Sequence, residues 1–419
     1  MQKKRTLDST QIDIDSIDLK IKKVKTEPLD EFDQQELDDI LKNKYSMKHV
    51  SEESKGNKAF VLKAVQHNGR CLKYATKELK NDNEVIEYAL NHNIYNIKYA
   101  GDKIKNDKQL LCSIITKNGR LLEFASHELK TDKKVVLHAI QQNARSLEFA
   151  NEELKNDKEI VLNAVESNGS SLEFTSEELK NDKEVVLVAV QQNGDSLEFA
   201  SKELKNDKEV VVKAVKENGV SIRFASMELQ NDKEVVLEAI QTKRWSDIWS
   251  LYPPLKYVSD EYKNNKEVVL KAVRNHRYSL EYTSQELKND KEVVLNSIQY
   301  NSRSFEFASQ ELKNDKEVAL QAVQKYGFSL KYTSEELKND KDVVLTAVQQ
   351  NGISLKFASL ILKNDKEVVL NAVSNRNFSI RYASKKLQVD RDVILRAAKM
   401  LNVQKERCCQ FTNVVFIFQ

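Results

Sequence analysis

A single phrase recurs along most of the chain at a fixed interval. SLEFTSEELKNDKEVVLVAV occupies residues 171–190, and the aspartate of its N-D-K-E-V-V part returns every 25 residues from Asp82 to Asp232 and again from Asp290 to Asp390. One interval, from Asp232 to Asn265, measures 33 residues, so residues 57–389 form thirteen repeats. This period is typical of solenoids, in which each repeat buries its apolar surface only against its neighbours. The sequence therefore predicts a stack of repeats.

Each repeat is predicted to be a pair of short helices. In the repeat that starts at Asp157, Asn156 or Asp157 can cap the first helix, and Asn168-Gly169 can end it through a positive φ. Ser171 is then expected to cap the second helix. A leucine-rich repeat with a strand has a similar period, but its L-x-x-L-x-L-x-x-N frame is absent. We expect an all-α fold, an α-solenoid of about thirteen 25-residue helix-turn-helix repeats.

The recurring phrase can be written L-x-[FY]-A-S-x-E-L-K-N-D-K-E-V-V-L-x-A-V-x-x-N-G. It resembles the repeats of domain of unknown function 4116 (DUF4116), and the resemblance covers about residues 57–400. Glu87 departs from the pattern by replacing the usual leucine, and residues 243–254 interrupt the frame. The family has no established activity, so the resemblance implies the repeat fold and supplies no catalytic residues.

Composition limits the classes of function. The chain has 67 basic and 64 acidic residues, a net charge of +3, whereas a dedicated nucleic-acid binder usually has a strong basic excess. The four cysteines have neither disulfide-like nor CxxC spacing, which suits a reducing compartment. No apolar run approaches the ~20 residues of a membrane span, and the N-terminus lacks the apolar core of a signal peptide. We expect a soluble intracellular protein, cytoplasmic or nuclear, without membrane association.

Catalytic motifs are missing from the sequence. It contains no phosphate-binding glycine loop and no nucleophile motif. His67 and His92 share a repeat position but lack the cysteine or carboxylate partners of a zinc site. We therefore expect no enzymatic activity, no cofactor and no metal.

One column of the repeat is aromatic in every unit. A ladder of rings could stack nucleic-acid bases, but its interleaving with Leu and Ala favours a buried spine. The column comprises Tyr74, Tyr99, Phe124, Phe149, Phe174, Phe199, Phe224, Tyr257, Tyr282, Phe307, Tyr332, Phe357 and Tyr382.

The residue before each aromatic is always charged, and its sign changes in blocks. The interpretation is open between a solvated surface column and a banded electrostatic strip that reads a partner. The column comprises Lys73, Lys98, Glu123, Glu148, Glu173, Glu198, Arg223, Lys256, Glu281, Glu306, Lys331, Lys356 and Arg381.

The most variable column follows the Asn-Gly pair, on the turn between the predicted helices. We predict that its apolar members Tyr278, Phe328, Ile353 and Phe378 contact a partner, although they could instead fold back onto the next repeat. These turn residues are Arg70, Tyr95, Arg120, Arg145, Ser170, Asp195, Val220, Tyr278, Arg303, Phe328, Ile353 and Phe378.

The long interval contains an insertion within KRWSDIWSLYPP, residues 243–254. Both tryptophans of the chain lie here, and Trp, Tyr and Arg are enriched in interface hot spots. We predict partner contacts by Arg244, Trp245, Trp249 and Tyr252. The alternative is a structural hinge between a seven-repeat and a six-repeat part.

Both ends of the chain lie outside the regular repeats. Residues 1–50 are predicted to be a disordered charged tail with a possible capping helix at 34–42, and residues 390–419 a degenerate last repeat with an apolar tail. The basic groups KKR and KIKKVK resemble a two-part import signal. Lys25, in Val-Lys-Thr-Glu, is a possible acceptor for a ubiquitin-like modifier.

These patterns predict a non-enzymatic, monomeric scaffold that binds a protein or peptide along its turn face. The alternative is a nuclear nucleic-acid-associated adaptor, which the basic groups of the tail and the Lys/Arg blocks favour.

Overall fold

The computed structural model describes residues 31–42, 47–242 and 252–399, which contain helices and turns and no strand. These residues divide into two compact units, with the boundary between residues 192 and 193. Within each unit the repeats follow one pattern of three helical segments. The predicted all-α repeat fold is therefore confirmed, but each repeat has one more segment than the predicted helix pair.

The first segment of each repeat is an α-helix. In the repeat of Asp157, the carboxylate of that residue accepts hydrogen bonds from the amides of Glu159 (3.0 Å) and Ile160 (3.2 Å), as a helix N-cap does. Ile160 and Val165 are fully buried, so the helix is covered on both flanks. These helices are α1 (Lys58–His67), α2 (Asn83–His92), α3 (Lys108–Ile115), α4 (Lys133–Gln142), α5 (Lys158–Ser167), α6 (Lys183–Gln192), α7 (Lys208–Glu217), α8 (Lys233–Gln241), α9 (Lys266–Asn275), α10 (Lys291–Tyr300), α11 (Lys316–Lys325), α12 (Lys341–Gln350) and α13 (Lys366–Asn375).

The second segment is a 3₁₀-helix. The predicted positive φ is wrong at Asn168, which is extended (φ −152°, ψ 106°) and whose side chain caps the next segment at the Ser170 amide. The neighbouring glycine position serves close packing instead, since a Cβ at Gly119 would overlap the carbonyl oxygen of Ala139 in the next repeat. These segments are Gly69–Tyr74, Ile94–Tyr99, Gly119–Phe124, Ala144–Phe149, Gly169–Phe174, Gly194–Phe199, Gly219–Phe224, Pro254–Tyr257, Ser279–Tyr282, Ser302–Phe307, Gly327–Tyr332, Gly352–Phe357 and Asn377–Tyr382.

The third segment is a single helical turn. Ser171 was expected to cap the second helix, but it is fully buried, and Ser176 caps the third segment through the Leu179 amide (3.2 Å). Extended backbone at Thr175 and Ser176 separates the two segments. The third segments are Leu79–Asn81, Asp102–Lys105, His127–Thr131, Glu152–Lys155, Glu177–Lys180, Leu204–Asn206, Leu229–Asn231, Asp260–Lys263, Gln285–Lys288, Gln310–Lys313, Leu337–Asn339, Leu362–Asn364 and Lys385–Gln388.

The core of each repeat is aliphatic. Leu172 is completely buried, as are Val185 and Val186 of the following helix. The aromatic column is half-buried in every repeat, so the prediction of a buried aromatic spine is wrong. The leucine two positions earlier takes the interior place, and the ring lies at its margin.

Lysines link successive repeats along one edge. Lys133 Nζ lies 2.7 Å from Oδ2 of Asp157, the cap of the next long helix, and 2.8 Å from Glu159 Oε2. One carboxylate thus caps its own helix and binds the preceding repeat. The same Lys–Asp contact, at 2.5–3.1 Å, joins Lys58–Asp82, Lys108–Asp132, Lys158–Asp182, Lys208–Asp232, Lys266–Asp290, Lys291–Asp315, Lys316–Asp340, Lys341–Asp365 and Lys366–Asp390.

A second set of bonds lies beside the first. Ser176 donates through its hydroxyl to Asn156 Oδ1 (2.5 Å) and through its amide to the Lys155 carbonyl (3.1 Å). The amide group of Asn156 in turn donates to Glu178 Oε2 (2.7 Å). We call the Lys, Asp, Glu, Asn and Ser positions of these two sets the polar edge. Their bonds explain why S-x-E-L-K-N-D-K-E recurs with so little change.

Helical segments also flank the repeats. Glu31–Leu41 packs on α1, with Leu37 and Ile40 buried and Asp33 Oδ2 accepting from the Asn57 side chain (2.8 Å). Met47–His49 and Glu52–Gly56 follow it. At the other end, residues 391–399 are helical and Val393 is buried.

Candidate partner-binding surface

The turn face consists of the turn residues, the charged column and the aromatic column, all carried by the 3₁₀ segments or the residue before them. Residues three apart eclipse one another in a 3₁₀-helix, so the turn residue and the charged residue of one segment lie on the same side. Arg381 and Phe378 illustrate this, since the guanidinium lies 5.4 Å from the centroid of the ring. The surface therefore presents three adjacent side chains in each regular repeat.

Cations lie over many of the aromatic rings. Where the charged column is basic, the residue covers the ring that follows it in sequence: Lys98 Nζ lies 4.9 Å from the Tyr99 centroid and Arg223 Cζ 4.4 Å from that of Phe224. Cations at this distance from a ring are attracted by its electron-rich face. Each of these rings thereby lies beside a positive charge at the surface.

Arginines of the turn column reach the next repeat where the charged column is acidic. Arg120 lies over the Phe149 ring (5.5 Å) with Nη2 3.5 Å from Glu148 Oε2. Arg145 makes the matching contacts with Phe174 (5.2 Å) and Glu173 (3.6 Å). For these turn residues the structure supports the alternative that the side chain folds back onto the next repeat.

Asp195 also contacts the following repeat. Its carboxylate accepts from the side chains of Asn218 (3.0 Å) and Ser221 (2.8 Å) and lies 3.4 Å from Arg223 Nη2. At three positions of the charged column, the charge is thus opposite to that of the turn residue in the preceding repeat. These positions are Glu148, Glu173 and Arg223. Part of the charge banding has an intramolecular cause, which the sequence alone did not reveal.

The apolar turn residues differ in exposure. Phe328 is half-buried, with its ring packed edge-on against Phe357 (6.0 Å between centroids) and Tyr326 (5.5 Å), so it too contacts the next repeat. Tyr278 and Ile353 are also half-buried. Phe378 is 41% exposed, and among these four it offers the most free surface.

The insertion interrupts the sequence without separating the repeats on either side. His276 Nε2 and Asn275 Nδ2 each lie 3.0 Å from the Ile240 carbonyl oxygen, and the Tyr262 hydroxyl donates to the Asn231 carbonyl (3.1 Å). Tyr252 is 47% exposed, with Lys256 Nζ 3.8 Å from its ring centroid.

Several predicted residues lie outside the described part of the chain, namely Arg244, Trp245, Trp249 and Lys25. The predicted hinge would divide the repeats at the insertion, whereas the boundary between the two compact units lies between residues 192 and 193.

Sequence reasoning missed an exposed apolar pair. Leu360 and Ile361 are 83% and 70% exposed at the start of a third segment, and Met227 is 82% exposed at the equivalent of Leu360. The available signal was that Ile361 replaces a glutamate present in most repeats. Tyr95 of the turn column is 46% exposed, although its neighbours in sequence do not predict this.

The described residues were also compared with the requirements of a reactive thiol, a metal site and a membrane span. Burial raises the pKa of the Cys71 thiol to about 11, which keeps it protonated at neutral pH. Within residues 31–42, 47–242 and 252–399, no group of three or more His, Cys, Asp and Glu side chains could hold a metal ion. No helix in these ranges is long and apolar enough to cross a membrane.

Comparison with known families gives one result. The family described as Domain of unknown function (DUF4116) matches the chain in overlapping segments, each about two repeats long, at residues 57–105, 82–130, 107–155, 157–205, 207–252, 250–288, 267–313, 290–338, 315–363, 340–388 and 365–403. Neither the curated proteins nor the solved structures searched gave a match.

Proposed function

This chain belongs to the DUF4116 family, and we propose that it is a non-enzymatic repeat scaffold that binds a protein or peptide partner along its turn face. One observation carries the proposal. The residues of the polar edge are nearly the same in every repeat, because their side chains form hydrogen bonds and ion pairs with the neighbouring repeat. The turn column, in contrast, varies among Arg, Tyr, Ser, Asp, Val, Phe and Ile on the same type of backbone segment. Variation on a rigid, repeated frame is what partner selection requires.

The chemistry of the surface suits a polypeptide. Half-exposed rings, arginines and carboxylates alternate within a short distance, as at Arg145, Glu173 and Phe174. Aromatic and arginine side chains are the residue types that contribute most to protein interfaces. An extended segment crossing successive turn faces within one unit would meet a different set of these groups at each repeat.

The anchors of the interface are proposed to be Arg244, Trp245, Trp249 and Tyr252 of the insertion, with smaller contributions from the turn column. Among the predicted contact residues that the structure describes, Tyr252 and Phe378 are the two exposed aromatics. Tyr278, Phe328 and Ile353 would each contribute less, because a larger part of their surface already packs within the repeat array.

Nucleic acid is the less favoured ligand. Glutamates occupy the charged column in four consecutive repeats, from Glu123 to Glu198, and would repel phosphates along that stretch. Cations already cover ring faces such as those of Tyr99 and Phe224, which bases would need for stacking. A gel-shift titration of the full chain against single- and double-stranded DNA and RNA tests this, since phosphate binding weakens steeply with salt.

The proposal is tested by affinity capture followed by measurements on variants. We expect Trp245→Ala or Trp249→Ala to reduce the binding free energy of a captured partner by ~2 kcal/mol or more. Phe378→Ala should reduce it by less. Met227→Ala, at an exposed apolar residue away from the turn face, is the matched control and should leave the affinity unchanged. Circular dichroism of each variant must keep its helical signal. Unchanged affinity in the tryptophan and Phe378 variants would rule out the turn face as the binding surface.

A further inference from the structure

The interface between the second and third repeats departs from the pattern at four positions. Asn83 is the first residue of α2, whereas the other long helices begin with lysine. Ile94 begins the 3₁₀ segment after α2, at the position where most repeats have glycine. Ile114 occupies the alanine column of α3, and Glu87 occupies the leucine column of α2. No other pair of neighbouring repeats combines these changes in the sequence.

The two isoleucines alter the packing of α2 against α3. At regular interfaces the glycine lies directly against the carbonyl of that alanine, as Gly119 does against Ala139 and Gly352 against Ala372. Ile94 and Ile114 place branched side chains at both of these positions. A groove of about 420 Å³ lies between α2 and α3, and Ile94 and Ile114 both line it.

The groove has the size and composition of a binding site. Its volume lies within the ~300–1,000 Å³ common for ligand pockets. Leu90 and Leu110 add to the apolar wall, and Glu87 and Asp107 lie among them. Among the described lining residues Lys117 is the one cation, so there the carboxylates exceed the ammonium groups by one.

Asp107 lacks the partner that its equivalents have. Elsewhere the cap aspartate receives a lysine ammonium from the preceding repeat, as Asp132 does from Lys108 and Asp157 from Lys133. Asn83 stands where that lysine would be. Asp107 still caps α3 through the Leu110 amide (3.0 Å), but within the described residues no basic side chain forms an ion pair with it.

We propose that this groove binds a lysine-bearing apolar segment of a partner protein, with the ligand ammonium at Asp107 in the place of the missing lysine. Glu87 would hold a second cation, and the isoleucine and leucine wall would take the apolar neighbours. The surface lies on the side of the long helices and is independent of the turn face. Charge complementarity selects the occupant, because the regular repeats show which group that carboxylate binds.

The test uses the full-length chain and a fluorescein-labelled synthetic peptide in which lysines alternate with leucine and isoleucine. Fluorescence polarisation should show saturable binding, and acetylating every lysine should weaken it by ~10-fold or more, since the charge-assisted hydrogen bond is lost. Equal binding of the acetylated peptide would overturn the proposal.

Variants then locate the site. Asn83→Lys should place an ammonium at Asp107 and lower the affinity for the peptide by ~10-fold or more. It should also raise the melting temperature, because it adds the ion pair that this interface lacks. Asn83→Gln, the matched neutral control, should bind like the natural chain. Lys133→Asn removes the lysine at a regular interface that lacks the isoleucines, and should create no additional binding. Wild-type affinity in Asn83→Lys with a raised melting temperature would contradict the assignment.

A final variant separates a partner from the chain's own basic segment. Replacing Lys20, Lys22, Lys23 and Lys25 with glutamine should leave the affinity of the peptide unchanged. A marked gain in affinity would mean that this segment occupies the groove, which would overturn the assignment to a partner. The Phe378→Ala variant should bind the peptide with the affinity of the natural chain. Failure of the groove proposal is therefore distinguishable from failure of the turn-face proposal.

Discussion

The polar edge and the turn face run along the same repeats but differ in what fixes their residues. At the polar edge, Asp157 caps its own helix through two amides and accepts from Lys133, so a change would break all three contacts at once. At the turn face, the equivalent positions Arg145, Ser170 and Asp195 carry side chains of different charge on the same backbone segment. Repetition therefore reflects contacts between successive repeats, and variation is what the proposed recognition surface requires.

The two regions also differ in depth of burial. Interior leucines precede the turn-face aromatics by two residues, so one segment contains both a core residue and a surface ring. Mutations within a single 3₁₀ segment can thus separate stability from the proposed recognition.

The largest effect is expected in the core. Leu197→Ala should lower the local free energy of unfolding by about 2–5 kcal/mol, because Leu197 is fully buried. Phe199→Ala should cost roughly half as much, since the ring is half-buried. Native-state hydrogen exchange of α7 and the adjoining segments measures both. An equal or greater loss for Phe199→Ala would place the ring in the core.

Loss of a cap aspartate should have a smaller effect. Asp157→Ala should cost about 1–2 kcal/mol, because two amides of α5 lose their acceptor and Lys133 loses its partner. Asp157→Asn should cost less, since asparagine serves as the cap at Asn265, where it accepts from the Val268 amide (3.1 Å). If both variants lose the same stability in urea unfolding, the ion pair outweighs the cap.

The contact between the Asp157 and Lys133 side chains predicts that stability depends on pH. Partial burial opposes ionisation of Asp157, but hydrogen bonds from Lys133 and from the Ile160 and Glu159 amides outweigh it and lower its pKa. At Asp315 the Lys291 hydrogen bond is the largest cause of the lowered pKa. A carboxyl with a lowered folded-state pKa stabilises the fold above its unfolded pKa of ~3.9 and loses that contribution as the pH falls through the folded value.

Melting temperatures should therefore fall as the pH is lowered below ~4, and the difference between the natural chain and Asp157→Asn should shrink in that range. A difference that stays constant from neutral to acidic pH would mean that ionisation of Asp157 does not contribute to stability.

The sequence predicted the repeat period, the long helices and their caps because these depend on local spacing and recur in every repeat, with asparagine in place of aspartate at Asn57 and Asn265. It did not predict the split of the second helix, since both Ser171 and Ser176 are suitable caps and only packing buries Ser171. The aromatic column was assigned to the core because alternation with aliphatic residues does not reveal how far a ring extends from the interior.

Contacts between repeats limited prediction of the site as well. The pairing of Arg120 with Glu148 joins residues of different repeats, and no spacing rule within one repeat anticipates it. The departure at Glu87 was visible in the sequence, but its meaning required knowledge that Asn83, Ile94 and Ile114 meet at one interface.

The smallest effects on stability are expected at the turn face. Tyr95→Ala and Phe378→Ala should change the free energy of unfolding by less than ~1 kcal/mol, because the two residues are 46% and 41% exposed and Tyr95 loses only one exposed hydrogen bond, from Asn118 (2.6 Å). Thermal melts followed by circular dichroism measure this. A loss above ~1 kcal/mol in either variant would show that these rings support the array.

Site-specific photo-crosslinking tests most directly whether recognition resides on the turn face. A photoreactive phenylalanine analogue is placed at Phe328 or Phe378, and in the same two repeats at Glu317 or Glu367 of the polar edge, whose side chains are 64% and 62% exposed. Both turn-face positions are predicted to form covalent adducts with one and the same partner polypeptide, and both polar-edge positions are predicted to give little or none. Adducts of equal yield at the two edges, or from the polar edge alone, would contradict the assignment.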